Sequence, residues 1–436
     1  MRKTVFLFTL LSAISCCNIC AQRADERLAA LIGQDDWFVI NDRYPSMKAD
    51  VQTAYLKDYT EAMLAHYFGH DGEGAVKLSN LIEKHGAVLG DELCVNLTKW
   101  IIFDYELSGN YADAVNVAKS YISAVRAGQL SGDTIFAMQD LKRLEPLAGF
   151  AAPQVVLPEG KDVVVDYSVD IPDKDLFGGR IESKGGLMFV PMTSSSKTVS
   201  FVIDTSIGQS FITRNLAEML GIKVIDGVEF APGYGVAIVD ELVVGNDVKF
   251  KNVLILVADI RDENGNEAVD ARLGMDFLRR VPEMQIDTKA KKLIFPAKTS
   301  AMPAYGVNLK KDQYGVRLRT EDNSGPINVR LATCYQNVSF GYPYYEKRAK
   351  EIEAYSQKKE VLSLDNNSGA TLSDAVELDD VKFKTCGKVV EFDKVVVPMF
   401  ENTPSYYVDD AYFGMGFINK FDKVTINMRD MFMKVE

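Results

Sequence analysis

Phe201-Val202-Ile203-Asp204-Thr205-Ser206 is read together with Asp270-Ala271-Arg272-Leu273-Gly274-Met275, whose Gly274 lies 70 residues after Asp204. The first segment is a short apolar run that delivers a carboxylate followed by a small hydroxyl residue. The second ends in an apolar-Gly pair. The layout returns downstream without its acid, as Val329-Arg330-Leu331-Ala332-Thr333-Cys334 and then Tyr412-Phe413-Gly414-Met415, with 82 residues from Ala332 to Gly414. Taken alone, Asp204 before Thr-Ser is also a common turn former. The order of elements around it decides between the two readings.

Outward from Asp204, alternation and turn residues predict one β-rich half over 180–298 and a second over 299–436. In the first, Leu187–Met192 and Thr198–Asp204 form a hairpin around Ser194-Ser195-Ser196-Lys197. Thr213 caps a short helix that Gly221 closes. Val228–Val239 is a hairpin with its tip at Pro232-Gly233-Tyr234, Val253–Val257 is a strand, and Met284–Thr288 with Lys292–Phe295 closes the half. The second half repeats the order: a hairpin at Val316–Leu318 and Ile327–Ala332, a helix at Tyr345–Tyr355, strands flanking the turn-rich Asp365–Gly369, and a closing pair at Lys423–Asn427 and Met431–Val435.

These paired motifs resemble the pepsin/retropepsin-type aspartic peptidases, whose pattern is apolar-apolar-Asp-Thr/Ser-Gly and then apolar-apolar-Gly. The resemblance covers roughly 180–436 and implies a two-lobed all-β barrel domain with one acid from each lobe at a shared cleft. Two carboxylates about 3 Å apart cannot both ionise, so one acts as base on a water while the other, protonated, polarises the peptide carbonyl. Against that pattern Asp204 and Thr205 match, and Ser206 replaces the Gly that leaves room for substrate backbone. In the second lobe Thr333 matches, Ala332 replaces the acid and Cys334 the Gly. Gly274 and Gly414 keep the framework, and the resemblance implies that Thr205 and Thr333 brace the lobe interface.

The expected function is therefore binding of extended peptides in the interlobe cleft, under the 229–239 hairpin, with little or no hydrolysis. One alternative is an active endopeptidase formed when two copies of Asp204 pair in a homodimer. Another is an adaptor that works through the N-terminal region. There, residues 22–150 carry helical spacing in Tyr55, Tyr59, Met63 and Tyr67 and in Leu78, Leu81 and Ile82. A weak repeat links His66-Tyr67-Phe68-Gly69 and Ala75 to Asp104-Tyr105 and Ala114, with Ala75 and Ala114 offset by 39 residues. It resembles tetratricopeptide hairpins, which often bind protein partners; a plain helical cap is the other reading. Pro153 and Pro158 mark a linker, and 151–179 reads as linker and β extension with a strand at Val163–Tyr167.

Arg2, Lys3 and the apolar run Val5–Ile14 before Ile19-Cys20-Ala21 predict a secretory signal peptide over 1–21, hence a secreted or periplasmic chain; lipidation at Cys16 or Cys17 fits less well. That run is too short to span a bilayer, which needs about 18 apolar residues. The net charge of −12 argues against nucleic acid as a partner. Cys94, Cys334 and Cys386 remain after the signal. Either Cys334 and Cys386 are bonded or they are separate buried thiols. His66, His70 and His85 all precede the β-rich region, which excludes a Ser/His or Cys/His triad within it and makes a zinc site there improbable. No phosphate-loop pattern occurs, and neither a cofactor nor a metal is expected.

Overall fold

The computed structural model describes residues 19–70, 72–170, 175–176, 179–180, 186–259, 271–312, 315–334, 338–354, 358–365, 369–399 and 409–436. Most of the apolar leader and the 366–368 turn lie outside these. The chain forms a helical N-terminal unit and a two-lobed β unit, dividing between Ala152 and Pro153.

In the helical unit, helices run over Ile19–Gly33, Trp37–Met47, Ala54–Phe68, Glu73–Leu89, Asp91–Ser108, Tyr111–Arg126 and Ile135–Leu144. The first begins before Gln22, so the expected cleavage point falls in its first turn. The Asp36 side chain accepts from Val39 N–H at 3.1 Å and caps the second helix. Leu28, Trp37, Ile40, Leu56, Met63, Leu78 and Leu97 share one core. His66 and Asp104, which open the two segments compared above, meet in space: His66 Nδ1 lies 2.9 Å from Asp104 Oδ2, and its ring stacks on Trp100 at 4.9 Å. Gly74 makes room for this contact, because a Cβ there would overlap the Asp104 carboxylate.

The β unit is built twice to one plan. In the first lobe Ala271–Leu273 is inserted between Lys197–Ile203, which it meets in parallel, and Phe211–Thr213, which it meets antiparallel. In the second, Ala411–Phe413 is inserted in the same way between Gly325–Leu331 and Val338–Phe340. The registers agree: Leu273 faces Ile203, and Phe413 faces Leu331. Gly274 and Gly414 then start the short helices Met275–Leu278 and Met415–Ile418 with φ of −92° and −93°.

The lobes are stitched together by a five-stranded sheet. At its centre Glu283–Asp287 runs antiparallel to Lys423–Asn427, with Glu283 opposite Asn427 and Asp287 opposite Lys423. Lys292–Phe295 and Phe432–Val435 flank them, and Val163–Asp166 adds an edge. Matched turns close the two hairpins: Ala290 N–H donates to Asp287 Oδ1 at 2.8 Å, and Asp430 N–H to Asn427 Oδ1 at 2.7 Å. Asp287 thus ends its strand and Thr288 begins the turn.

Several bounds differ from those read off the sequence. The first-lobe hairpin turns on Ser195 and Ser196 at φ of 48° and 68°, the double-positive geometry that matches strand twist. The 228–239 hairpin is longer, Val224–Ala231 with Tyr234–Val244, and turns at Gly233 with φ of 83°. The second-lobe helix is Tyr342–Ile352, earlier than expected. Pro343 fits its first turn because the missing N–H has no helical partner there.

At Gly274 the chain folds back on 207–209: Met275 N–H donates to Ile207 O at 2.8 Å and Asp276 N–H to Gly208 O at 3.0 Å. A Cβ at Gly274 would lie 2.9 Å from both Gln209 C and Ile207 O. Backbone cannot retreat as a side-chain tip can, so Gly274→Ala should destabilise by about 1–3 kcal/mol. Hydrogen–deuterium exchange should rise in peptides covering 200–210 and 271–278 and stay unchanged over 54–126.

Candidate functional site

The insertion that repeats in each lobe delivers Asp204 and Ala332 to matched positions. Each follows the last residue of its strand, and each donates its N–H to the inserted strand, Asp204 to Leu273 O and Ala332 to Phe413 O, both at 2.9 Å. Both residues are fully buried.

The next residues lock the two loops together. Thr205 Oγ1 donates to Leu331 O at 2.8 Å, and Thr333 Oγ1 donates to Ile203 O at 2.6 Å. In return each hydroxyl accepts the N–H of the other threonine at 3.2 Å. Four buried backbone groups that would otherwise lack partners are thereby satisfied.

Ser206 fills the place of the expected Gly without blocking its own loop. Its N–H and Oγ both donate to Asp204 Oδ1, at 2.9 and 2.6 Å. Its hydroxyl also lies 3.3 Å from Cys334 Sγ. The side chains that replace glycine in the two loops therefore touch each other across the interface. Cys94, Cys334 and Cys386 are all free, which settles the open choice in favour of separate thiols. Burial, then the Asp204 carboxylate, push the Cys334 thiol well above its ordinary range. Cys386, at φ of 50°, is pushed up to about 12 by burial.

The second oxygen of Asp204 is held by a residue the sequence reading passed over. Arg272 Nη1 lies 3.2 Å from Asp204 Oδ2. Arg272 occupies the middle of the inserted strand, opposite Val202, where the apolar-apolar-Gly pattern calls for an apolar side chain. A charge inside a buried run was the signal that could have revealed it. Among the described residues, Asp204 has a guanidinium as its charged partner and no second acid within hydrogen-bond reach. Ala332, at the matched position, offers neither a proton nor a water ligand.

A second unforeseen contact comes from Asp312 and Gly315. Gly315 N–H donates to Asp312 Oδ1 at 2.8 Å, and a Cβ on Gly315 would overlap Thr205 O. Arg330 holds Asp312 through a bidentate pair at 2.9 and 2.8 Å and reaches Asp409 at 2.7 Å. Arg317 also bonds Asp409 at 2.7 Å. The first-lobe hairpin 224–244 places Phe230 and Tyr234 beside its tip, each a little over one-third exposed. Among the described residues no cluster of three His, Cys, Asp or Glu could hold a metal, and no helix is long and apolar enough to cross a membrane.

No protein-family model matches this chain, and no curated protein matches it either. Among solved structures it is similar to a retropepsin-like aspartic protease from Rickettsia conorii, at 18% identity and a TM-score of 0.22, over 33% of this chain and 91% of that one. At that score the similarity carries no inference about the site.

Two outcomes follow from this geometry. Thr333→Val strips partners from Thr205 N–H and Ile203 O, each buried loss costing about 1–3 kcal/mol. Its urea midpoint should fall accordingly, with faster amide exchange at 203–206. Cys334 should resist alkylation: a thiol shifted upward carries less thiolate at pH 8 than an ordinary one near 8.5. Iodoacetamide should therefore label Cys334 more than about tenfold slower in the native chain than in urea, with native labelling rising only well above pH 8.5. Peptide mass spectrometry reads both rates.

Proposed function

We propose that the two-lobed unit is an aspartic-peptidase-like pseudoenzyme that binds extended peptides between its lobes with little or no hydrolysis. The carrying observation is the pairing of Asp204 with Arg272 where Ala332 stands in place of a second acid. Peptide hydrolysis by this chemistry needs one carboxyl to hold a proton while its neighbour takes one from water. Asp204 instead spends its oxygens on a guanidinium and on Ser206. The scaffold that would cradle a strand-like ligand is kept: the braced loops, the inserted strands and a long hairpin with apolar side chains near its tip.

The homodimer reading has less support, because Thr333 of the same chain already fills the contact a second Thr205 would need. The apolar leader supports export from the cytoplasm, and the stacked helices support a protein partner for the N-terminal unit as a subsidiary role.

The test incubates the purified chain with mixed peptides at pH 4 and pH 7. Peptides should be retained in equilibrium dialysis and recovered intact. Pepstatin-sensitive cleavage that disappears in Asp204→Ala would overturn the proposal.

A further inference from the structure

The ionic pair at the centre of the β unit is unequal in its exposure. The Asp204 side chain is 0% exposed and that of Arg272 is 28% exposed. Asp204 has both oxygens engaged inside the protein, Oδ1 by Ser206 and Oδ2 by Arg272. Of the two charged side chains, Arg272 is the one with exposed surface. A guanidinium has five N–H donors in a planar fork. Asp204 takes a bond through Nη1, while Nε is enclosed without an acceptor. The group also lies 5.5 Å from the centre of the Phe211 ring, a contact that restrains its plane.

We propose that Arg272 is the recognition group of the cleft and binds a carboxylate of the ligand, either the C-terminus of a peptide or the side chain of an internal acidic residue. The proposal rests on the peptide-binding reading and gives it a chemical class. A carboxylate matches the guanidinium fork with two parallel hydrogen bonds. A neutral amide offers a single oxygen and cannot make those two parallel bonds. The surrounding chain carries a net charge of −12, so the anion would be drawn by this local cation and not by the overall field. Where a peptidase of this design presents a shared acid pair to a neutral peptide bond, this centre presents a cation already balanced from behind by a buried carboxylate.

The experiment uses the full chain and pools of N-acetylated hexapeptides in three forms: a free C-terminal carboxylate, a C-terminal amide, and the amide with one internal Glu. N-acetylglutamate and N-acetylglutamine are run as small probes, all by equilibrium dialysis. The wild type should bind at least one acidic pool tenfold or more tighter than the amide pool, and the arm that wins names the source of the carboxylate. That preference should weaken as the pH falls through about 4 and vanish below about pH 3, where both a C-terminal carboxyl and a Glu side chain are mostly protonated. Arg272→Gln should abolish it too. Because that change strands a buried Asp204, the paired Arg272→Gln, Asp204→Asn variant is measured alongside. Equal binding of acidic and amide pools by the wild type overturns the role of Arg272 and leaves peptide binding standing. Binding of N-acetylglutamate over N-acetylglutamine with no peptide bound supports the carboxylate site and sinks the peptide reading. Binding of none of the probes sinks both.

Discussion

The reciprocal hydrogen bonds of Thr205 and Thr333 are the constraint on which the β unit turns. Each hydroxyl donates to a carbonyl of the opposite lobe and accepts an opposite N–H. A hydroxyl can do both at once, which is why a small hydroxyl residue is needed at each place. The consequence is positional. With the two threonines fixed, the residues just before them, Asp204 and Ala332, are both carried to the lobe junction, and the residues just after them, Ser206 and Cys334, touch. The sheet formed by Glu283–Asp287 and Lys423–Asn427 repeats the same pseudo-twofold relation and supports it over a wider area.

Symmetry of backbone is joined to asymmetry of charge. In the first lobe the arginine lies on the inserted strand, Arg272 opposite Val202. In the second it lies on the neighbouring strand at the same level, Arg330 opposite Tyr412. The exchange sends the two guanidiniums to different work. Arg272 turns to the junction and closes on Asp204. Arg330, 2% exposed, turns to Asp312 and Asp409, and Asp312 in turn accepts from Gly315 N–H beside Thr205. Buried ion pairs of this kind add little net stability, since desolvation offsets most of the Coulomb gain. Their effect is to specify one arrangement, because a misplaced loop would leave a buried charge unpaired.

The replacements in the two motif loops compensate one another. Ala332 brings no ionisable group to the junction, and Arg272 supplies the charge that balances Asp204 from the same lobe. Ser206 and Cys334 fill the space that paired glycines would leave open. Together these side chains leave the Asp204 carboxylate fully buried and its partner Arg272 partly exposed.

Most of the fold was legible in the sequence, because it is written in local patterns. The apolar runs ending at Asp204 and Leu331, the turn at Ser195-Ser196, the capped helix at Thr213 and the closing hairpins depend on alternation, turn residues and caps within short windows. The bounds that slipped, such as the helix from Tyr342, did so where a proline in a first turn reads ambiguously. Of the site, the sequence by itself determined that one lobe carries an acid and the other an alanine, since that is a matter of residue identity. Only the tertiary structure decided what the acid does. Arg272 is 68 residues from Asp204 and Gly315 is more than a hundred from Thr205, and neither distance along the chain says anything about proximity. Strand insertion brings the first pair together and lobe docking the second, and those are properties of the packed chain.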